Sequence, residues 1–371
     1  MPDLEPHVLY ILAGLACGLI MGAAARLVRF CTFGAIEDVV LAGSAVRLRT
    51  WVLAMAVAIL TTQLLAAGGH VRLDQSIYHA GLFQPVTAAI GGVLFGFGMA
   101  LAGNCGYGTI IRMSSGDLRA FAVFVAMGIS AYVAARGLLN PVRHFLFDPV
   151  AISMSEGNRS IPALFQSITG GPFILPAIIV SLVLLVWCFA SPSFRRSVRD
   201  IAVAITVGLT VSLGFYLTTR ISELAMDEGR VESISYALPP GETLMYLMTF
   251  TGMQMDFAVA TVLGTIIGAF LVAWRRRELH LEGFDEARDM RRHLLGACMM
   301  GFGGVLAGGC TVGQGLSGMA ALSLSAPLAV LGILVGAASG VQYLVGGNVF
   351  DILGALASHD IGFRDKRKPT N

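Results

Sequence analysis

Nine apolar runs, each about as long as a bilayer is thick, leave this chain few folds to choose from. A helix crossing about 30 Å of hydrocarbon at 1.5 Å per residue needs roughly 20 apolar residues. Runs of this kind lie near residues 8–30, 50–67, 86–103, 118–138, 173–190, 199–219, 257–274, 292–309 and 326–346. Hydrocarbon offers backbone amides no water, so such runs are expected to cross as helices. Only 13% of the residues are charged and the mean hydropathy is +0.75, whereas a soluble chain carries about a quarter charged residues. An all-α polytopic membrane protein is therefore expected, and a soluble enzyme with a single anchor is excluded. The net charge of +2 gives no reason to expect a nucleic-acid partner. The start, MPDLEPH, is acidic where a secretory signal would be basic, so the first run is expected to stay as a span.

Between the long runs lie four apolar segments too short to cross, near 33–45, 105–114, 242–253 and 310–322. At membrane depth such pieces are tolerated only inside protein or along a cavity, so four short re-entrant helices are expected. Alternating nine spans puts Arg72, Arg136, Arg143, Arg159, Arg220 and Arg230 on one side and the other nineteen of the 25 basic residues opposite. The positive-inside rule makes the richer side cytoplasmic. The N-terminus is then expected outside and the C-terminal tail, 347–371, inside.

The strongest internal pattern is a repeat at an offset of 205 residues. GFGMALAGNCGYG from Gly96 and GFGGVLAGGCTVG from Gly301 agree at eight of thirteen positions, including Phe97 with Phe302 and Cys105 with Cys310. The copies close the third and eighth spans, an odd difference, so they run in opposite directions. An inverted repeat follows: 8–138 is the first half, 173–190 a linking span and 199–346 the second half, a 4+1+4 plan recurrent in transporters. Close packing of small residues accounts for the glycines but not for a cysteine at the same phase in both copies.

None of the six cysteines forms a C-x-x-C pair, which removes the simplest thiol relay and the common zinc spacings. Cys17, Cys188 and Cys298 fall inside continuous apolar runs and read as small packed hydrophobes. Cys31, Cys105 and Cys310 each stand where a long span stops and a short segment begins. Flanking glycines, Gly103 before Cys105 and Gly308 and Gly309 before Cys310, let the backbone turn and approach a solute. A half-helix start supplies unpaired N–H groups, and a thiol there can donate a weak S–H bond. Three such thiols suggest a ladder for a small, soft anion, with Asn104, Thr311 and Gln314 as hydrogen-bonding neighbours. No cofactor or metal is expected.

At the two GFGxxLAGxC segments and at RFCTFGAIED, which contains Cys31, the chain resembles the YeeE/YedE family of membrane proteins. Nearly the whole chain corresponds. The resemblance implies an hourglass-shaped protein in which Cys31, Cys105 and Cys310 line a narrow central path for thiosulfate or a related sulfur anion. It also implies a bacterial inner-membrane location and a cytosolic TusA-type sulfurtransferase as partner. The sequence departs from the family at Asn104, where a second glycine is commoner. Two other functions stay open: a transporter of a selenium compound, and a membrane thiol–disulfide oxidoreductase, for which the sequence offers no cysteine pair by spacing.

Overall fold

The computed structural model describes residues 5–80, 83–152, 160–225, 231–284 and 286–346. The expected tail, 347–371, lies outside them, as do Arg159 and Arg230. In chain order the helices are α1 (Pro6–Val28), α2 (Thr32–Ala42), α3 (Val46–Ala67), α4 (Pro85–Ala102), α5 (Gly106–Met113), α6 (Leu118–Arg136), α7 (Asn140–Phe147) and α8 (Ile161–Thr169). They continue with α9 (Leu175–Phe189), α10 (Pro192–Arg195), α11 (Val198–Ala225), α12 (Pro239–Met248), α13 (Phe257–Arg275), α14 (Ala287–Leu306), a π-helical turn (Gly313–Gly318) and α15 (Ser325–Gly346). The described residues contain no strand, only four isolated bridges. The protein is an all-α polytopic membrane protein: seven of its helical stretches are long and apolar enough to cross a bilayer.

Two of the nine expected spans fall outside that seven, each for a local reason. The run at 173–190 becomes α9, which has 15 residues and is short for a full crossing. The run at 292–309 becomes α14, which begins at Ala287 and ends at Leu306. Its first turns carry Arg288, Asp289, Arg291, Arg292 and His293 and dilute its apolar character. All four short segments are present as α2, α5, α12 and the π-helical turn. The short helices α7, α8 and α10 were not legible as helices among loop residues.

Small residues set how closely the long helices approach. Along α1, a Cβ placed on Gly14, Gly18 or Gly22 would stand 2.5, 2.2 and 2.2 Å from the Phe257, Thr261 and Thr265 carbonyls of α13. Along α4, a Cβ on Gly92 or Gly96 would stand 2.5 and 2.2 Å from the Ala329 and Ile333 carbonyls of α15. Chain numbers rise together in both pairs, so α1 is parallel to α13 and α4 to α15. Between α4 and α14 the order reverses. Gly98 meets the Gly296 carbonyl (2.7 Å), and Gly303 meets the Gly91 carbonyl (2.9 Å). These two contacts are images of each other under the 205-residue offset, and they make α4 and α14 antiparallel.

The same exchange holds across the packing. Swapping α1 with α11, α2 with α12, α3 with α13, α4 with α14, α5 with the π-helical turn and α6 with α15 carries α1–α13 onto α11–α3 and α4–α15 onto α14–α6. It also carries α2–α3 onto α12–α13, and α12–α6 onto α2–α15. Helix α9 stands outside the exchange and packs on α3. Arg49 near the start of α3 bonds the Trp187 and Cys188 carbonyls at the end of α9, so those two helices are antiparallel. A parallel α1 and α13 requires an even number of reversals between them, and α9 supplies the reversal that completes the count.

Lipid-buried helices gain most of their adhesion from close backbone approach, so Gly96→Leu is expected to be costly. Backbone carbonyls cannot move aside as a side chain can, and overpacking of this kind costs about 1–3 kcal/mol or more. Thermal unfolding in detergent should show a clear loss of stability and of monodisperse protein. Gly283→Leu, where a Cβ meets nothing within 4 Å, should match the parent.

Candidate functional site

Helix α1 ends at Val28 in a left-handed turn at Arg29 (φ 53°), and two residues later Cys31 caps α2 in an extended conformation. Helix α4 ends on Gly103 (φ 69°), and Cys105 caps α5, accepting the Gly108 N–H at 3.2 Å. Helix α14 is followed by Gly308 (φ 70°) and Gly309 (φ 159°), which turn the chain into Cys310. The Cys310 sulfur accepts the Gly313 N–H at 3.3 Å. Cys105 and Cys310 thus hold the same position in the two copies, each bonded by the N–H three residues on. An N–H bond to sulfur leaves the S–H hydrogen to point elsewhere.

The structure brings two of the three cysteines together. Cys31 Sγ and Cys105 Sγ stand 3.4 Å apart in a shared hydrogen bond, which needs at least one of the thiols protonated. A Cβ on Gly108 would stand 3.0 Å from the first sulfur and 3.4 Å from the second, so glycine there keeps the space beside both open. Cys310 has a different neighbour. Its second bond comes from the Tyr236 N–H at 3.3 Å, in the strap that leads into α12. Where the first half places the Cys31 thiol beside its repeat cysteine, the second half places the Ser235–Tyr236 backbone. Tyr107 and Tyr236 stack with ring centroids 4.9 Å apart and join the two cysteine positions. Both hydroxyls are held, Tyr107 donating to the Met21 carbonyl (2.6 Å) and Tyr236 sharing a bond with Thr265 Oγ1 (2.7 Å). The spacing of the chain gave no sign of these tyrosines.

Cys105, Cys310, Tyr107 and Tyr236 are all buried, and a cavity opens on either side of this layer. The wider, of about 760 Å³, reaches Cys31, Gly103, Asn104 and Gly108. Six arginines line it against four carboxylates, Glu37, Asp117, Glu278 and Glu282. Arg26 pairs with Glu278 (3.0 Å) and Arg119 with Asp117 (3.4 Å) and Glu282, while Arg47 reaches Asp38 (3.2 Å). The narrower cavity, of about 200 Å³, is floored by Ala307, Gly308 and Gln314. Gly103 and Gly308 therefore sit at the bottoms of opposite mouths, as repeat positions on antiparallel helices must.

The polar neighbours divide. The Asn104 amide, oriented by its surroundings, donates to the Gly103 carbonyl (3.1 Å) and accepts from Arg112 Nη1 (3.2 Å), and it lines the wide mouth. Gln314 Nε2 bonds the Ala307 and Gly308 carbonyls at 3.1 and 3.0 Å, capping the end of α14. Its Oε1 and the Thr311 hydroxyl are buried without a hydrogen-bond partner. Of the three cysteines read as packed hydrophobes, Cys17 and Cys188 are buried but Cys298 is exposed, on the outward face of α14. No cluster that could hold a metal ion occurs among the described residues.

A family model described as sulphur transport matches residues 27–339. The thiosulfate transporter TsuA of Escherichia coli (strain K12) is 27% identical over 331 residues, covering 82% of this chain and 86% of that protein. The thiosulfate transporter TsuA of Spirochaeta thermophila is 25% identical over 334 residues, covering 88% of this chain and 96% of that protein.

Proposed function

Because the chain belongs to the sulphur transport family, a family of transporters rather than enzymes, we propose that it takes up thiosulfate or a closely related sulfur anion through the layer between its two mouths. Cys31, Cys105 and Cys310 are the contacts along that path. The observation that carries this reading is the pair of sulfurs 3.4 Å apart, Cys31 lining an arginine-rich cavity and Cys105 buried behind it, with Cys310 at the position of Cys105 in the other half. A terminal thiosulfate sulfur is large and polarisable. A thiol offers it a weak S–H donor and a soft surface together, whereas a thiolate in a low-dielectric path would repel a dianion strongly. The neutral thiols are then the working form.

The two halves, 8–138 and 199–346 about the linking span 173–190, give the path its hourglass form, and Gly103, Gly308 and Gly309 give the turns that set the thiols of Cys105 and Cys310 in the layer. Asn104, Thr311 and Gln314 stand beside them as hydrogen-bonding neighbours. The arginine-rich mouth faces the cytoplasm in this reading and the narrow mouth the outside, in a bacterial inner membrane with the N-terminus outside. A TusA-type sulfurtransferase would consume the delivered sulfur; exposed Arg288, Arg291 and Arg292 are the docking candidates on that face.

Uptake of labelled thiosulfate, sulfite, sulfate and selenite into proteoliposomes tests the reading. Saturable thiosulfate uptake well above sulfate is expected. Preference for selenite would shift the substrate to a selenium compound, and no uptake of any of the four would refute transport through this layer.

A further inference from the structure

Among the described residues the narrow mouth contains one permanent cation, Arg143, and its partners leave it half committed. Arg143, on α7, lines the 200 Å³ cavity with His79, Gln84, Gln314, Ser323 and Ser325. No Asp or Glu lines that cavity among the described residues. The nearest carboxylate in sequence, Asp148, is occupied elsewhere: one oxygen accepts from Gln84 Nε2 (3.0 Å) and the other meets His144 Nδ1 (2.9 Å). Arg143 is held by one nitrogen, Nη2, which donates to Asn140 Oδ1 (3.0 Å) and meets His144 Nε2 (3.0 Å). Its Nε is buried and has no hydrogen-bond partner among the described residues. A buried donor on a charged group is expensive to leave unmade. In the wide mouth, three of the six arginines, Arg26, Arg47 and Arg119, are each paired with a carboxylate.

We propose that the narrow mouth is a capture site for the sulfur oxyanion, with the Arg143 guanidinium as the group that binds it. This rests on the transport reading. A guanidinium edge presents planar, fixed donors that match two oxygens of an oxyanion, and anchoring through Nη2 orients that edge in advance. A cation in a concave, low-dielectric mouth whose described lining holds no carboxylate concentrates anions from solution. The floor of the same cavity is the Ala307–Gly308 turn and Gln314, with Cys310 two residues beyond Gly308. An anion held at Arg143 is therefore already at the threshold of the sulfur contacts. Ser325 lines the same cavity, its hydroxyl 3.0 Å from that of Ser323, which donates its own proton to the Tyr78 carbonyl (2.9 Å).

The test is thiosulfate uptake by the full chain in right-side-out vesicles. Arg143→Gln should raise KM about tenfold while changing the maximal rate less than twofold, and Arg143→Lys should recover part of that loss. Added sodium chloride should raise the KM of the parent and leave the KM of Arg143→Gln nearly unchanged, because screening acts only where the cation remains. Ser325→Asp, which places a carboxylate in the cavity at a helix start that tolerates one, should also raise KM. It carries the test alone if Arg143→Gln does not fold. A parent that takes up thiosulfate while both folded variants keep its KM overturns the capture site and leaves the transport reading standing. A parent with no uptake overturns the transport reading itself.

Discussion

Cys310→Ala is expected to cut thiosulfate uptake at least tenfold while leaving the fold intact. The Cys310 sulfur accepts the Gly313 and Tyr236 N–H groups, both at 3.3 Å. Removing it strips the path of a soft contact and leaves two donors unpartnered. The stability cost of unpartnered buried donors is about 1–3 kcal/mol, a few degrees in melting temperature rather than loss of the fold. Cys310→Ser separates the two properties of the thiol. A hydroxyl can still accept and donate hydrogen bonds but lacks the polarisable surface, so the Ser variant should recover stability and not uptake. Parallel measurements on Cys17→Ala, Cys188→Ala and Cys298→Ala should stay within about twofold of the parent. Cys17 is packed at the α1–α13 seam, Cys188 Sγ donates to the Arg49 carbonyl (3.4 Å), and Cys298 faces outward. Full uptake in a well-folded Cys310→Ala protein would remove that residue from the path.

The helices were legible because hydrophobicity along a membrane chain is a one-dimensional signal. Seven of the nine runs emerge as helices long and apolar enough to cross. The two that fall short show where the signal fails. Helix α9 has only 15 residues, too few for a full crossing, and charge at the start of α14 hides where that helix begins. The repeated GFG segments carried more than their length suggested, since Gly98 and Gly303 turned out to be partners in one pair of antiparallel contacts. Long-range pairs were invisible. Cys31 and Cys105 are 74 residues apart, so no spacing rule could bring their sulfurs to 3.4 Å. Tyr107 and Tyr236 looked like ordinary aromatics for the same reason. Arg143 counts in the sequence only as a charge on one side of the membrane, because a lone arginine between spans, two residues after a proline, says nothing about the cavity it faces. The final short segment was read as a half-helix at 310–322 but is a π-helical turn. There Ser317 N–H reaches back five residues to the Val312 carbonyl (3.0 Å), and Gly315 lets the indole of Trp51 approach to within 2.5 Å of where a Cβ would stand.

Mild oxidation is expected to stop transport through the pair that the fold brings together. Diamide takes up two electrons and two protons as it becomes the hydrazine, and two thiols supply both as they join in a disulfide. Cys31 and Cys105 are the only such sulfur pair in hydrogen-bond contact among the described residues. Bond formation needs an approach from 3.4 Å to about 2.05 Å. Each sulfur belongs to the residue that caps a short helix, so a bond between them ties the start of α2 to the start of α5 and removes both S–H donors beneath the wide mouth. Uptake should fall at least tenfold on diamide treatment and return with dithiothreitol, and peptide mass spectrometry should find the Cys31–Cys105 linkage in the blocked protein. The residual uptake of Cys31→Ala should be indifferent to diamide, since one partner is missing. A thiol–disulfide oxidoreductase would instead cycle this bond during turnover and would remain active after oxidation. Blocked uptake with the linkage present supports thiols as passive contacts of a transported anion; full uptake with the linkage present would show that the anion does not pass these two sulfurs.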